Sequence, residues 1–257
     1  MIFDTHAHYD DERFDEDRYS LIEEMHQNGI CNIINVGADM ASSKTSIELA
    51  EKYDFIYAAV GVHPHEVDNM TDNDIEILTD YAKYTKVVAI GEIGLDYYYD
   101  LSTREHQRYW LKRQLELAYR LDLPVIIHSR EATQETYDII KNSKVRKGVI
   151  HAFSGSLDFA RHYIDMGFYI GVGGVVTFKN AKKLVEVVKN IDLDKILLET
   201  DAPYLSPVPV RGVRNNSQNL RYVVDKIGEI KQISPEIVVE KTRQNANVLF
   251  CGKKVVA

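Results

Sequence analysis

Two short histidine pairs, His6-Ala7-His8 and His63-Pro64-His65, share one context with four single residues, Glu92, His128, His151 and Asp201. Each stands where a short apolar run ends. Side chains along a strand alternate with a period of two, so His6 and His8 project to one face and can share one ion. Alone such a pair is a weak signal, because a buried, hydrogen-bonded histidine looks the same. The weight comes from recurrence: an imidazole or a carboxylate closes one apolar run after another. A neutral core would not select that position. Six of the nine histidines belong to this set. His26, His106 and His162 fall inside helical patterns and read as surface residues.

The stretch from Val87 to Tyr99, VVAIGEIGLDYYY, is the centre of the pattern. Its first four residues are apolar and rich in β-branching, which suits a strand buried on both faces. The run stops at Gly91-Glu92, so Glu92 is expected where the strand opens into a loop, with Gly91 and Gly94 easing the turn. A carboxylate at that depth is costly unless hydrogen bonds or a cation satisfy it. It is either a salt-bridged or capping residue or a metal ligand, and its partners elsewhere favour the ligand.

The elements that must position these residues alternate along the chain. Strand patterns occur at Ile2-Phe3, 31–36, 55–62, 87–90, 124–127, 148–150, 168–172 and 195–198. Between them lie helical patterns. Ser42 and Ser43 are the expected caps of one, Thr71 with Asp74 forms a capping box for another, and a long one follows Thr103. Two more helices follow in the tail, the last with Ser234 as cap and Pro235 at its first position. Eight strands alternating with helices predict a (β/α)8 barrel with an extra C-terminal helix. A doubly wound sheet would want a glycine fingerprint after the first strand, where this chain has His-Ala-His. In a barrel the strand ends converge on one face, which is where such folds keep their chemistry.

Composition narrows the partners. The 257 residues, 45% of them hydrophobic, can bury a sizeable core, and no linker divides them, so one domain over 1–257 is expected. No apolar run is long enough for a membrane span, and the first residues lack a secretory leader pattern. Cys31 and Cys251 show no metal or redox spacing, so a cytoplasmic, reduced protein is expected, with a monomer favoured. The formal charge of −8 argues against a long basic groove; a polyanion must be met locally or through bound cations.

Six ordered motifs resemble the TatD family of metal-dependent hydrolases, best known as deoxyribonucleases and allied to the amidohydrolase barrels. They are DTHAH at 4–8, GVHPH at 61–65, IGEIGLDYY at 90–98, PVIIHSREA at 124–132, HAFSG at 151–155 and LLETDAPYL at 197–205. The resemblance implies one ion on His6, His8, Glu92 and Asp201 and a second on Glu92, His128 and His151, with Glu92 as bridge and Asp201 as ligand or base. It further implies that His63, His65, Asp96, Tyr97 and Arg130 line a phosphate-binding cleft, joined by Arg214. One departure stands out: where the family usually has Arg-Asn-Glu-Pro, this chain has Arg214-Asn215-Asn216-Ser217.

Four imidazoles and two carboxylates without thiolate favour Zn²⁺, Mn²⁺, Fe²⁺, Co²⁺ or Ni²⁺, whereas Mg²⁺ prefers oxygen donors and would support activity only in excess. Paired ions clamp a phosphate and acidify water. The expected activity is hydrolysis of DNA from a 3′ end, on single-stranded DNA or at 3′ ends. The same ions would serve amide or ester hydrolysis, including deacylation of a D-aminoacyl-tRNA. Tyr97, Tyr98 and Tyr99 are read either as base-stacking residues or as cover for the barrel rim. Lys179, Lys182 and Lys183 are read as a solvated helix face, and Asp4 and Glu199 as residues that orient ligands from behind.

Overall fold

The computed structural model describes residues 1–252. Its strands are β1 (Ile2–Ala7), β2 (Ile30–Val36), β3 (Ile56–Val60), β4 (Val87–Asp96), β5 (Val125–Arg130), β6 (Gly148–Ile150), β7 (Phe168–Val172) and β8 (Ile196–Leu198). All neighbouring pairs are parallel and follow chain order. The circle is completed beyond β8, where Ala7 bridges Ala202 and the Thr200 and Asp201 amides donate to the His6 carbonyl. The helices are α1 (Arg18–Gln27), α2 (Met40–Lys52), α3 (Asp72–Tyr81), α4 (Arg104–Leu121), α5 (Thr133–Asn142), α6 (Leu157–Asp165), α7 (Lys182–Asn190), α8 (Leu220–Lys231) and α9 (Pro235–Ala246). This is the expected eight-fold α/β barrel, with α9 as its extra helix.

Two apolar clusters hold it together. One lies between strands and helices and includes Ile33, Ile90, Ile127, Leu111 and Leu115. The other joins Phe3, Ile34, Ala59, Ile126, Val149 and Leu197, residues of six strands that can meet only inside the barrel. Ala246 and Phe250 belong to this inner cluster, so the chain beyond α8 closes the barrel floor.

Local departures have physical causes. α2 begins at Met40, not at Ser42: Asp39 is its cap, and Ser42 reaches back to the Asp39 amide at 2.8 Å. An aspartate caps as well as a serine, and here it lies earlier in the chain. β4 does not stop at Gly91 but runs through Glu92 to Asp96, buried along its whole length. The two glycines serve close packing instead of a turn. A β-carbon on Gly94 would lie 1.9 Å from the His128 carbonyl oxygen, and one on Gly91 would lie 2.6 Å from Ile126 Cβ. No helix among the described residues is long and apolar enough to cross a membrane.

Candidate metal centre

Most of the polar groups stand at or just beyond the ends of the strands, in line with the alternation inside them, and Asp201 takes a left-handed backbone, φ 57°. Interior Ala59, Ile126, Val149 and Leu197 are followed at steps of two by His63, His128, His151, Glu199 and Asp201. β1 differs. From inward-facing Phe3 a strict alternation would point Thr5 and Ala7 inward, but the register shifts between Asp4 and Ala7. His6 and His8 therefore enter the barrel, and Ala7 joins the outer cluster.

Glu92 sits at the middle, buried, with its two oxygens facing different partners. Oε2 lies 3.4 Å from His6 Nε2 and 3.8 Å from His8 Nε2. Asp201 Oδ1 stands 3.7 and 3.5 Å from the same two nitrogens, which are 3.0 Å apart. Donors around a tetrahedral ion at about 2.1 Å are about 3.4 Å from one another. His6, His8 and Glu92 stand close enough to offer their donor atoms to one cation, with Asp201 beside both imidazoles. Without a cation, two imidazole nitrogens and two carboxylates would crowd a single point.

Oε1 of Glu92 faces the other way, 2.8 Å from His128 Nδ1, 3.7 Å from His63 Nε2 and 3.9 Å from His151 Nε2. His63, assigned to the cleft by resemblance alone, is thus brought into this donor group. The signal was present in its period-two relation to Ala59. His128 turns Nε2 to Asp96 Oδ2 at 3.0 Å, and His65 Nε2 reaches the same oxygen at 3.0 Å. Asp96 Oδ1 accepts from the Tyr98 and Tyr99 amides at 3.0 and 2.9 Å. Asp96 therefore ties the centre to the rim loop.

Two buried carboxylates lie behind the donors. Glu199 Oε1 accepts from the Ala152 amide and stands 3.2 Å from His151 Nδ1. The Nδ1–H of an imidazole held by a carboxylate leaves Nε2 for an ion. The bare glycine at 171 makes the room, since a β-carbon there would be 2.4 Å from Glu199 Oε2. Asp4 accepts from the Thr200 hydroxyl and the Ser217 hydroxyl, each at 2.6 Å. Ser217, where the family usually has proline, also contacts the Tyr9 hydroxyl at 2.8 Å, and Asn216 accepts from the Gln218 amide. The departure from the family pattern has become part of a buried hydrogen-bond network.

Burial opposes every charge here, and the partners decide the outcome. Burial would raise the Glu92 carboxyl, but His63, His151, His6 and His128 hold it well below its ordinary value. Asp201 is likewise lowered against burial, by His151, His8 and His6. His6 is lowered by burial and by His151, and His63 is lowered further, by burial first. Against burial, Asp201 raises His8 to about 9, and Glu199, Glu92 and Asp201 raise His151 to about 10. Burial pushes Asp4 to about 6, its hydrogen bonds resisting.

The remaining expected residues lie outside this group. Tyr97 turns to the outer helices, donating to Glu135 Oε2 at 2.5 Å beneath the Arg104 guanidinium. Arg130 is exposed and stacks on Tyr98 and Tyr99, 4.0 and 4.7 Å from their ring centres. Tyr99 meets His65 edge-on at 5.5 Å. Arg214 is committed to Asp17 through two contacts of 2.8 and 2.5 Å.

A family model described as TatD related DNase matches residues 3–251. The chain belongs to the TatD family. It is similar to "Uncharacterized metal-dependent hydrolase YabD" of Bacillus subtilis, 42% identical over 97% of this chain and 99% of that one. The crystal structure of the TatD homologue YjjV from Escherichia coli superposes with a TM-score of 0.92 at 34% identity, covering 97% of this chain and 98% of that one. A TatD-family hydrolase of Entamoeba histolytica shares the fold at a TM-score of 0.88 and 24% identity, over 97% of each chain. This TatD-family protein is a metal-dependent hydrolase, and its buried histidine and glutamate groups suit metal binding.

Proposed function

We propose that this TatD-family protein is a deoxyribonuclease with two divalent ions per chain, removing nucleotides from the 3′ end of single-stranded or frayed DNA. The observation that carries the reading is the division of Glu92: one oxygen faces His6 and His8, the other His63, His128 and His151. His6, His8, Glu92 and Asp201 would hold one ion, and Glu92, His128 and His151 the other, with His63 beside them. The donor set favours Zn²⁺, Mn²⁺, Fe²⁺, Co²⁺ or Ni²⁺ as residents, with Mg²⁺ effective in excess. Bound ions polarise a phosphoryl oxygen and lower the pKa of water to near neutrality.

The chain supplies the rest. Asp201, held ionised by three imidazoles, accepts a proton from the attacking water. Glu199 and Asp96 fix the orientations of His151 and His128. Tyr98, Tyr99 and Arg130 offer exposed faces for bases and a guanidinium for phosphate, which favours a nucleic-acid substrate over a small amide. Metal-depleted, reloaded protein incubated with 3′-end-labelled single-stranded DNA, closed circular DNA and D-aminoacyl-tRNA tests the reading. Shortening of the single strand with intact circles is expected. Consumption of the aminoacyl-tRNA alone would assign the centre to ester hydrolysis instead.

A further inference from the structure

Across the mouth from Tyr98 and Tyr99, a cleft of about 390 Å³ opens beside the chain that follows β7 and β8. Arg13, Phe178, Arg211 and Arg214 line it, together with Pro203 and Leu205. Three guanidiniums in one cleft are unexpected in a chain of charge −8. Two of them are already neutralised. Arg13 pairs with Asp11 at 2.7 Å, and Arg214 with Asp17. Arg211 is different: its guanidinium lies 4.0 Å from the centre of the Phe178 ring, and no carboxylate is paired with it among the described residues. A guanidinium carried on a ring keeps its in-plane N–H donors for a phosphate.

Tyr204 touches both the metal centre and an arginine of this cleft. The Tyr204 ring meets the His8 ring edge-on at 6.4 Å and carries the Arg13 guanidinium 4.1 Å above its own centre. We propose that this cleft is a second nucleic-acid subsite, taking the nucleotide next to the scissile bond with its phosphate on Arg211 and its base against the Phe178–Arg211 stack. The proposal rests on the reading of the centre as a phosphodiesterase. It adds a grip on the strand that a minimal diester cannot use.

Binding and turnover separate the two. Affinity of metal-loaded enzyme for a fluorescein-labelled, phosphorothioate-linked single-stranded octanucleotide is followed by anisotropy against salt. Arg211→Gln should weaken it about five- to tenfold and reduce the slope of log affinity against log salt by about 0.7, the value of one lost phosphate contact. Arg211→Lys should keep the slope but lose part of the affinity, because the stacked fork is gone. Phe178→Ala should weaken binding without changing the slope. KM for the octanucleotide's phosphodiester counterpart should rise several-fold more in Arg211→Gln than KM for bis(p-nitrophenyl) phosphate. Equal affinity and equal slope in wild type and Arg211→Gln would overturn the subsite. Wild-type enzyme that binds the octanucleotide through Arg211 but hydrolyses neither diester would keep the subsite and remove the phosphodiesterase reading.

Discussion

The floor of the barrel mouth and its rim are built on different physical terms. On the floor, Glu92, His6 and His151 are nearly inaccessible, and each is fixed by several neighbours at 3 to 4 Å. On the rim, Tyr98, Tyr99 and Arg130 are exposed and held by stacking. Asp96 joins the two, taking His128 and His65 with one oxygen and the rim amides with the other. Charges that must not move are buried and over-determined. Groups that must accept varied bases stay adaptable. Changes to the floor should therefore act on metal content and turnover, and changes to the rim on substrate affinity.

The largest effect is expected at the bridge. Glu92→Ala should lower the metal count at both positions and take turnover below that of any other single change, whereas His128→Ala should empty mainly one position. Elemental analysis per chain reads this directly, and an unchanged count in Glu92→Ala removes the bridge. Asp201→Asn keeps shape and one oxygen donor but cannot accept a proton. It should lose about 10²–10⁴-fold in turnover with substrate affinity retained. Near-normal turnover in metal-saturated buffer would make Asp201 a ligand only.

One step back from the donors the effect should shrink. Glu199→Gln leaves the shape and weakens the hold on His151, so metal affinity should fall about 10- to 100-fold. Gly171→Ala, which pushes on the same carboxylate, should reproduce part of that loss. Equal metal affinities in all three proteins would leave Glu199 with packing alone.

The pH response follows from the same floor. In metal-free protein His8 is raised to about 9 and His151 to about 10, above their unfolded value of 6.5. Such groups stabilise the fold fully below the unfolded value, and that stability is lost as pH rises through the folded values. The Tm of chelated protein should fall from about pH 7 to about pH 10. Metal takes the imidazoles without their protons, so metal affinity should climb over the same window. A chelated Tm that stays level there would mean that His8 and His151 are not held by carboxylates.

The smallest effects belong to the rim. Tyr98→Ala should raise KM for single-stranded DNA about fivefold, the lower end of the roughly 1–3 kcal/mol of one stacked base, and leave the metal count alone. A matching loss of metal would show that floor and rim do not act separately.

Much of the floor was legible in the sequence, because inward-facing positions recur every second residue and a polar residue at the end of an apolar run stands out. His128 and His151 follow Ile126 and Val149 by that rule, whereas Asp201 stands beyond the end of β8 with a left-handed backbone. Placing them at one point required only that eight such strands close into a barrel. The helix signals read well where a proline or a capping box was local, as at Pro235 and Thr71, and less well at Asp39, where a nearby serine competed.

The tertiary structure decided what alternation could not. The register shift in β1 brings His6 and His8 into the barrel in place of Thr5 and Ala7, and it depends on pairing with β2. The continuation of β4 through Glu92 depends on contact with β5, for which Gly91 and Gly94 leave the space. The rim follows the same division: three tyrosines in a row look alike, yet Glu135 draws Tyr97 outward while Arg130 keeps Tyr98 and Tyr99 at the mouth. The sequence by itself determined which residue types end each strand, since that is a local matter of period and burial. Which oxygen of Glu92 meets which imidazole, and which of the three cleft arginines lacks a carboxylate partner among the described residues, was settled by strands and loops far apart in the chain, because ion pairing and close packing are properties of space and not of order.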